Sequence, residues 1–259
     1  MPRYFLEVCY KGTGYSGFQF QENANTIQRE IEKALVTRFR KALVEASMDK
    51  FKLTGSSRTD AGVHALQNYF HFDAPFVITA QHVYNLNAML PPDIAILGMH
   101  EVMPHGHCRF DATSREYKYC IYKEKNPFLE SRGYYYPYKT DVALLNEVAA
   151  LVVGKQDFSS FSKRNTEVKT FICTIHSSAW VVKGDRILYN VTGNRFLRGM
   201  VRGLVGTMLN ICKLPNPVES FKSILSAKDC TKVDFSVPGH GLFLMKVNYP
   251  EGYFEQPIT

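Results

Sequence analysis

Along this 259-residue chain the apolar residues switch between a period of two and a period of 3.6, and the order of switching nearly repeats. Residues 3–10 (RYFLEVCY) alternate as a strand does. Asn25 or Thr26 can cap a helix whose apolar positions Ile27, Ile31, Ala34 and Leu35 fall at i, i+4, i+7 and i+8, with Gln28 placed for a capping box with Asn25. Residues 51–56 and 67–74 read as two strands joined by a polar, glycine-containing loop. A helix follows from Thr79 to Leu90, ended by Pro91 and Pro92, and then a strand over 94–103. The order is β-α-β-β-α-β, the split ferredoxin-like unit.

The second half gives strands at 115–123, 168–183, 186–192 and 242–249, the middle pair joined by a Gly184-Asp185 hairpin turn. Helices fit from Asp141, with Leu144, Leu145, Val148, Leu151 and Val152 on one stripe and Gly154 as terminator, over 195–210, and after Pro217. The order repeats although the sequence does not. The expected fold class is α+β: two ferredoxin-like halves, residues 1–105 and 106–259, with antiparallel sheets side by side and a basic cleft between them.

Composition narrows the function classes. Hydrophobic residues are 45% and charged ones 21%, which are globular values that exclude disorder and low-complexity arrays. No apolar run approaches the roughly 18 residues of a membrane span, and the N-terminus makes a poor signal peptide, so a soluble cytoplasmic protein is expected. The six cysteines form no CxxC pair, which removes zinc-ribbon and dithiol redox readings. Net charge is +7, yet residues 1–105 carry ten basic and ten acidic side chains, so the second half holds the whole excess. That asymmetry fits a polyanion held mainly by the second half, and it also fits solubility alone.

The loop between the second and third strands reads Gly55-Ser56-Ser57-Arg58-Thr59-Asp60-Ala61-Gly62-Val63-His64-Ala65. In an extended segment Arg58 and Asp60 point to the same side. A guanidinium there can hold the carboxylate ionised and oriented, and such a carboxylate can act as nucleophile or base. Taken alone, an Arg-x-Asp in a loop is more often a turn-stabilising ion pair. At full length the stretch SSRTDAGVHALQNYFHF resembles the active-site segment of the tRNA pseudouridine synthase A family. GTGYSGFQFQ with TIQREIEKAL, CRFDATSREYKYCIY, GKQDFSSF, NRFLRGMVRGLVG and PGHGLFLMKVNYP are similar to further blocks of that family, collinear from about residue 4 to 250.

The resemblance implies that Asp60 is the catalytic nucleophile, Arg58 its ion-pair partner and Tyr117 the ring packed on the uracil. It implies that Arg202 positions Asp60 or the RNA backbone and that Leu242 walls the pocket. The implied activity is isomerisation of uridine to pseudouridine in the tRNA anticodon stem-loop, about positions 38–40, by a homodimer without metal, nucleotide or redox cofactor. Two departures stand out: Lys11 and Ser57 occupy places where the family usually has an acid and a glycine, which leaves room for a paralogue acting on a different RNA uridine.

Other residues carry weaker signals. Arg195, Arg198 and Arg202 fall at i, i+3 and i+7 of the 195–210 helix, a basic stripe suited to phosphates. Gly199, Gly203 and Gly206 would each cost that helix about 1 kcal/mol unless a close approach compensates. His64 is near enough to Asp60 in sequence to touch substrate, or to support the loop. His100, His105, His107 and Cys108 cluster without a second ligand group, so no metal site is expected. Two other classes compete: a noncatalytic RNA-binding module, which needs no oriented carboxylate, and a carboxylate glycosidase, which lacks an obvious second acid.

Overall fold

A computed structural model describes residues 1–164, 168–254 and 257–259. In chain order its elements are β1 (Arg3–Tyr10), α1 (Ile27–Glu45), β2 (Thr54–Gly55), β3 (His64–Asp73), α2 (Ala80–Met89), β4 (Ile94–Val102), β5 (Ser114–Tyr122), β6 (Tyr134–Tyr135), α3 (Val142–Ala150), β7 (Gly154–Asp157), β8 (Ile172–Lys183), β9 (Arg186–Gly193), α4 (Met200–Ile211), α5 (Pro217–Ser226) and β10 (Leu242–Asn248). The architecture is mixed α/β. Two compact units form, residues 1–113 with 244–259, and residues 114–243.

In the first unit β1 pairs antiparallel with β4 on one side and β3 on the other, while β2 and β10 border β3. Tyr4, Phe5 and Leu6 are consecutive and all fully buried, so both faces of β1 are covered. On one face Tyr4 meets Phe72, which leads through Phe51 to Phe39 of α1. On the other, Phe5 packs against Tyr249, Tyr253 and Phe254 of the C-terminal segment. The α1 positions Ile27, Ile31, Ala34 and Leu35 are buried, as their spacing required. Its N-cap is Thr26, whose hydroxyl accepts the Arg29 N–H at 3.3 Å. Gln28 makes no capping box with Asn25; its amide donates to Glu32 and accepts from the Phe20 N–H.

The second unit orders its strands β5-β9-β8-β7, with β6 on β5. Asn146 of α3 clamps β8 by bonding both backbone groups of Trp180, at 2.8 and 2.9 Å. The Trp180 ring lies 4.9 Å from Tyr189, and its N–H points at the Met208 sulfur of α4.

Several element boundaries differ from the sequence reading: α3 ends at Ala150, Gly154 opens β7 in place of terminating the helix, and the strand expected over 168–183 begins at Ile172. Only Thr54 and Gly55 of 51–56 form strand; the Ser56 N–H still donates to the Tyr69 carbonyl of β3 at 2.8 Å before the chain enters the Asp60 loop. The helix expected over 195–210 begins at Met200, with Gly199 as N-cap in the left-handed region at φ 75°. Arg195 and Arg198 therefore precede the helix, and the three arginines do not form a helical stripe. The interior glycines are explained inside the unit. A Cβ on Gly206 would sit 2.4 Å from the Asp234 carbonyl oxygen, and one on Gly203 would meet Val233 and Phe235 below 3 Å. The compensating close approach is this chain's own 233–235 segment.

Candidate active site

The Asp60 loop is held from below and from the side. Below it, the Asn68 amide of β3 donates to the Ser57 carbonyl at 2.8 Å and to the Tyr10 hydroxyl at 3.2 Å. The Tyr10 hydroxyl also shares a hydrogen bond with Thr59 Oγ1 at 2.9 Å, in which either oxygen can donate. All three residues are buried, so the network is satisfied where an orphan group would be costly. Thr59 thus points inward, while Arg58 beside it is exposed.

At the side runs the segment after β1, which makes a 3-10 turn over Gly12–Gly14. The Phe18 N–H donates to the Thr59 carbonyl, and the Gly62 N–H to the Tyr15 carbonyl. Gly17, at φ 106°, lies so close that a Cβ would meet the Thr59 oxygen at 3.0 Å and Ala61 N at 3.4 Å. At Gly12 a Cβ would fall 1.9 Å from the Val63 carbonyl oxygen. Tyr15 is anchored in turn, its hydroxyl donating to Asp93 at 2.6 Å. None of these supports was singled out from sequence; glycines at 12, 14 and 17 amid polar residues were their only local signal.

Within this frame Asp60 is half-buried. His64 is 2% exposed, and its Nδ1 accepts the Gly12 N–H at 3.1 Å, so it ties β3 to the glycine turn. The expected Arg58–Asp60 ion pair is corrected by the structure. Arg58 is exposed and lines a separate cavity, and among the described residues no ion pair joins it to Asp60. Pointing to one side is a condition for pairing and does not enforce it; here the Thr59 anchor sets the backbone without using Arg58. Ser57, one of the two departures, has a buried hydroxyl with no hydrogen-bond partner among the described residues. A glycine in its place would remove that orphan group.

In the second unit Tyr117 of β5 is buried, its ring edge-on to Phe196 at 5.0 Å. Arg202 of α4 donates to the carbonyls of Val237 at 2.8 Å and Phe235 at 3.1 Å. Tyr119 holds the same segment by donating to the Pro238 carbonyl, and its ring leaves no room for a Cβ on Gly241. Leu242 follows directly and is buried. Arg195 is half-exposed beside Cys173, and Arg198 is exposed, its carbonyl accepting the Lys163 N–H.

The sequence matches known proteins over almost its full length. A chain from Parabacteroides distasonis, called tRNA pseudouridine synthase A, is 40% identical, covering 98% of this chain and 98% of its own. Relatives of the same name from Bacteroides thetaiotaomicron and Bacillus subtilis are 39% and 38% identical, covering 99% and 93% of this chain and 94% and 97% of their own. The model of the family described as tRNA pseudouridine synthase matches residues 148–250. The chain belongs to the tRNA pseudouridine synthase A family. It is therefore an enzyme of the uridine isomerase class. Among the described residues, no helix of this synthase is long and apolar enough to cross a membrane.

The histidines regroup relative to the sequence reading. His100 faces Glu7 at 3.3 Å, whereas His71 joins His107 and Cys108, with potential ligand atoms within 4.8 Å of one another. Those atoms are engaged within the protein: His71 Nδ1 accepts the Cys108 N–H at 3.3 Å, and the Cys108 thiol donates to the Thr54 carbonyl at 3.1 Å. Burial, reinforced by the positive charges of His107 and Arg3, pushes the His71 imidazole down to about 4. In the unfolded chain it titrates near 6.5, so between about pH 6.5 and 4 the unfolded state binds the extra proton. Stability should fall as the pH drops through that window, by up to about 3 kcal/mol from this group. Melting temperatures measured from pH 7 to 4 should show it, and the His71→Gln protein should lose close to one proton's worth of slope. An equal slope in the two proteins would assign the acid sensitivity elsewhere.

Proposed function

We propose that this synthase converts uridine to pseudouridine in the anticodon stem-loop of tRNA, about positions 38–40, with Asp60 as the reacting carboxylate. The observation that carries the reading is the Asp60 loop itself, locked by Gly12, Gly17, Tyr10 and Asn68 in a chain alignable end to end with curated synthases. A rigid support of this kind suits a group that must meet a reacting atom. A noncatalytic RNA-binding surface has no need of it.

The isomerisation breaks the N1–C1′ bond and forms a C5–C1′ bond; C5 loses a proton and N1 gains one. Atoms and electrons balance within the nucleotide, so no redox or group-transfer partner is consumed. A carboxylate serves by attacking C1′, by taking a sugar proton, or by adding to uracil C6, and all three routes use the same side chain. The target base must leave its stack, and Tyr117 supplies a ring for it, a contact worth roughly 1–3 kcal/mol. Within this reading the chain is two ferredoxin-like halves, the first carrying the aspartate and the basic second holding RNA, and it works as a cytoplasmic homodimer. Arg195, Arg198 and Arg202 belong to that second half, now as separate contacts.

The test is to map pseudouridine in tRNA from cells with and without the gene. Loss at positions 38–40 alone is expected, and purified protein should restore it on transcripts in the presence of a chelator. An unchanged map would overturn the reading, and a loss confined to other uridines would favour a paralogue of shifted specificity.

A further inference from the structure

The reaction proposed above leaves one built feature of the first unit unused. Beside the Asp60 loop lies a cavity of about 250 Å³. Its wall carries Arg58, Arg109, Gln19 and Gln28, with Phe18 and Phe110. This is just below the roughly 300–1,000 Å³ of drug-sized pockets, so it suits a ligand that is only partly enclosed.

The Phe110 ring is 74% exposed, a costly position for so large an apolar surface. It is nevertheless fixed. The Phe110 and Asp111 N–H groups donate to the His107 carbonyl, and the Asp111 carboxylate accepts both the His107 N–H at 2.7 Å and the Tyr253 hydroxyl at 2.6 Å. The His107 ring packs against Phe110 with centroids 4.2 Å apart, and the Arg109 guanidinium lies 5.8 Å from the same ring. His107 is itself backed by His71 at 4.6 Å, and burial holds it below the usual histidine range. The result is an exposed, preorganised aromatic ring with two planar cations and amide groups around one small cavity. Stacking faces edged by arginine are how proteins hold unpaired nucleotides. Arg58 is only two residues from Asp60, at most about 7 Å along the chain. A nucleotide held there adjoins the aspartate without occupying its place.

We propose that this cavity is a second nucleotide site: it takes one unpaired nucleotide of the tRNA, base on Phe110 and phosphate between Arg58 and Arg109. The target uridine is bound elsewhere, and the second contact sets which stem-loops are well placed. This rests on the proposed function, and it adds a specificity-determining site to it.

The test uses full-length protein and tRNA transcripts carrying 2-aminopurine at single unpaired positions of the stem-loop. At one position the wild-type protein should quench the probe by stacking. Phe110→Ala should abolish that quench and raise KM roughly tenfold with kcat nearly unchanged. Phe110→Trp should restore both, and Arg109→Gln should raise KM without abolishing the quench. Phe128→Ala, which removes another exposed phenylalanine, at 80% exposure, should match the wild type. Because Phe110 contributes little to the core, its variants should melt with the wild type. If no position is quenched, or if Phe110→Ala keeps both quench and KM, the second site is overturned while the isomerase reading stands. If the wild-type protein forms no pseudouridine in tRNA, both fall.

Discussion

Replacing Asp60 with asparagine is expected to abolish pseudouridine formation while tRNA affinity stays within about tenfold of wild type. The substitution keeps the shape and removes the charge, and Asp60 is half-buried in a loop whose backbone is fixed by other residues. Thr59 remains bonded to Tyr10, Ser57 to Asn68 and Phe18 to Thr59, so the loop should keep its course. Stability should accordingly change little. Affinity can tighten slightly, because an anion facing a polyanion is lost. The measurement is single-turnover pseudouridine formation together with tRNA binding on the same preparation. A folded Asp60→Asn protein that still isomerises near the wild-type rate would remove the carboxylate from the chemistry and favour the binding-module reading. Arg58 makes a useful contrast. Since it does not pair with Asp60 in this structure, Arg58→Lys tests the neighbouring cavity, where loss of the planar fork should appear in KM ahead of kcat.

Local rules reached some parts of this molecule and missed others for identifiable reasons. The apolar spacing of α1 placed its buried face correctly, because a helix on a sheet repeats the same demand every turn. At 195–200 the same rule failed. Arginines at helical spacing were read through Gly199, yet its left-handed backbone starts the helix at the next residue. Glycine tolerates both states, and here the Lys163 side chain packs against it, a neighbour more than thirty residues away in sequence. The Asp60 loop was legible as a motif, but its supports were not. Gly12 and Val63 lie about fifty residues apart, and Gly17 and Thr59 more than forty, so no periodicity connects them. Likewise alternation puts Arg58 and Asp60 on one side, yet in the folded loop Arg58 is exposed and Asp60 half-buried. Sequence gives direction locally; distance comes from packing.

Gly12→Ala should be nearly as damaging as loss of the carboxylate, although Gly12 lies far from Asp60 in sequence. The added Cβ would fall 1.9 Å from the Val63 carbonyl oxygen and 2.7 Å from its carbon. Both are backbone atoms, so no side chain can swing aside to make room. The 3-10 turn or the Asp60–His64 segment must move by about 1 Å or more to restore van der Waals contact. Either movement strains the same two tethers, the Gly12 N–H on His64 at 3.1 Å and the Val63 N–H on the Asp60 carbonyl at 3.2 Å. A shift of that size in a reacting group costs on the order of 100-fold in rate, and overpacking costs about 1–3 kcal/mol of stability. The loss should therefore appear mainly in kcat, with a melting temperature lowered by several degrees and tRNA affinity nearly kept. Gly14→Ala, two residues on, is the matched control: its Cβ meets nothing within 4 Å, so rate and stability should stay near wild type. Equal activity in the two variants would show that the glycine turn does not position the aspartate. A loss in Gly12→Ala alone would tie catalysis to a contact between backbones that no side-chain pattern reveals.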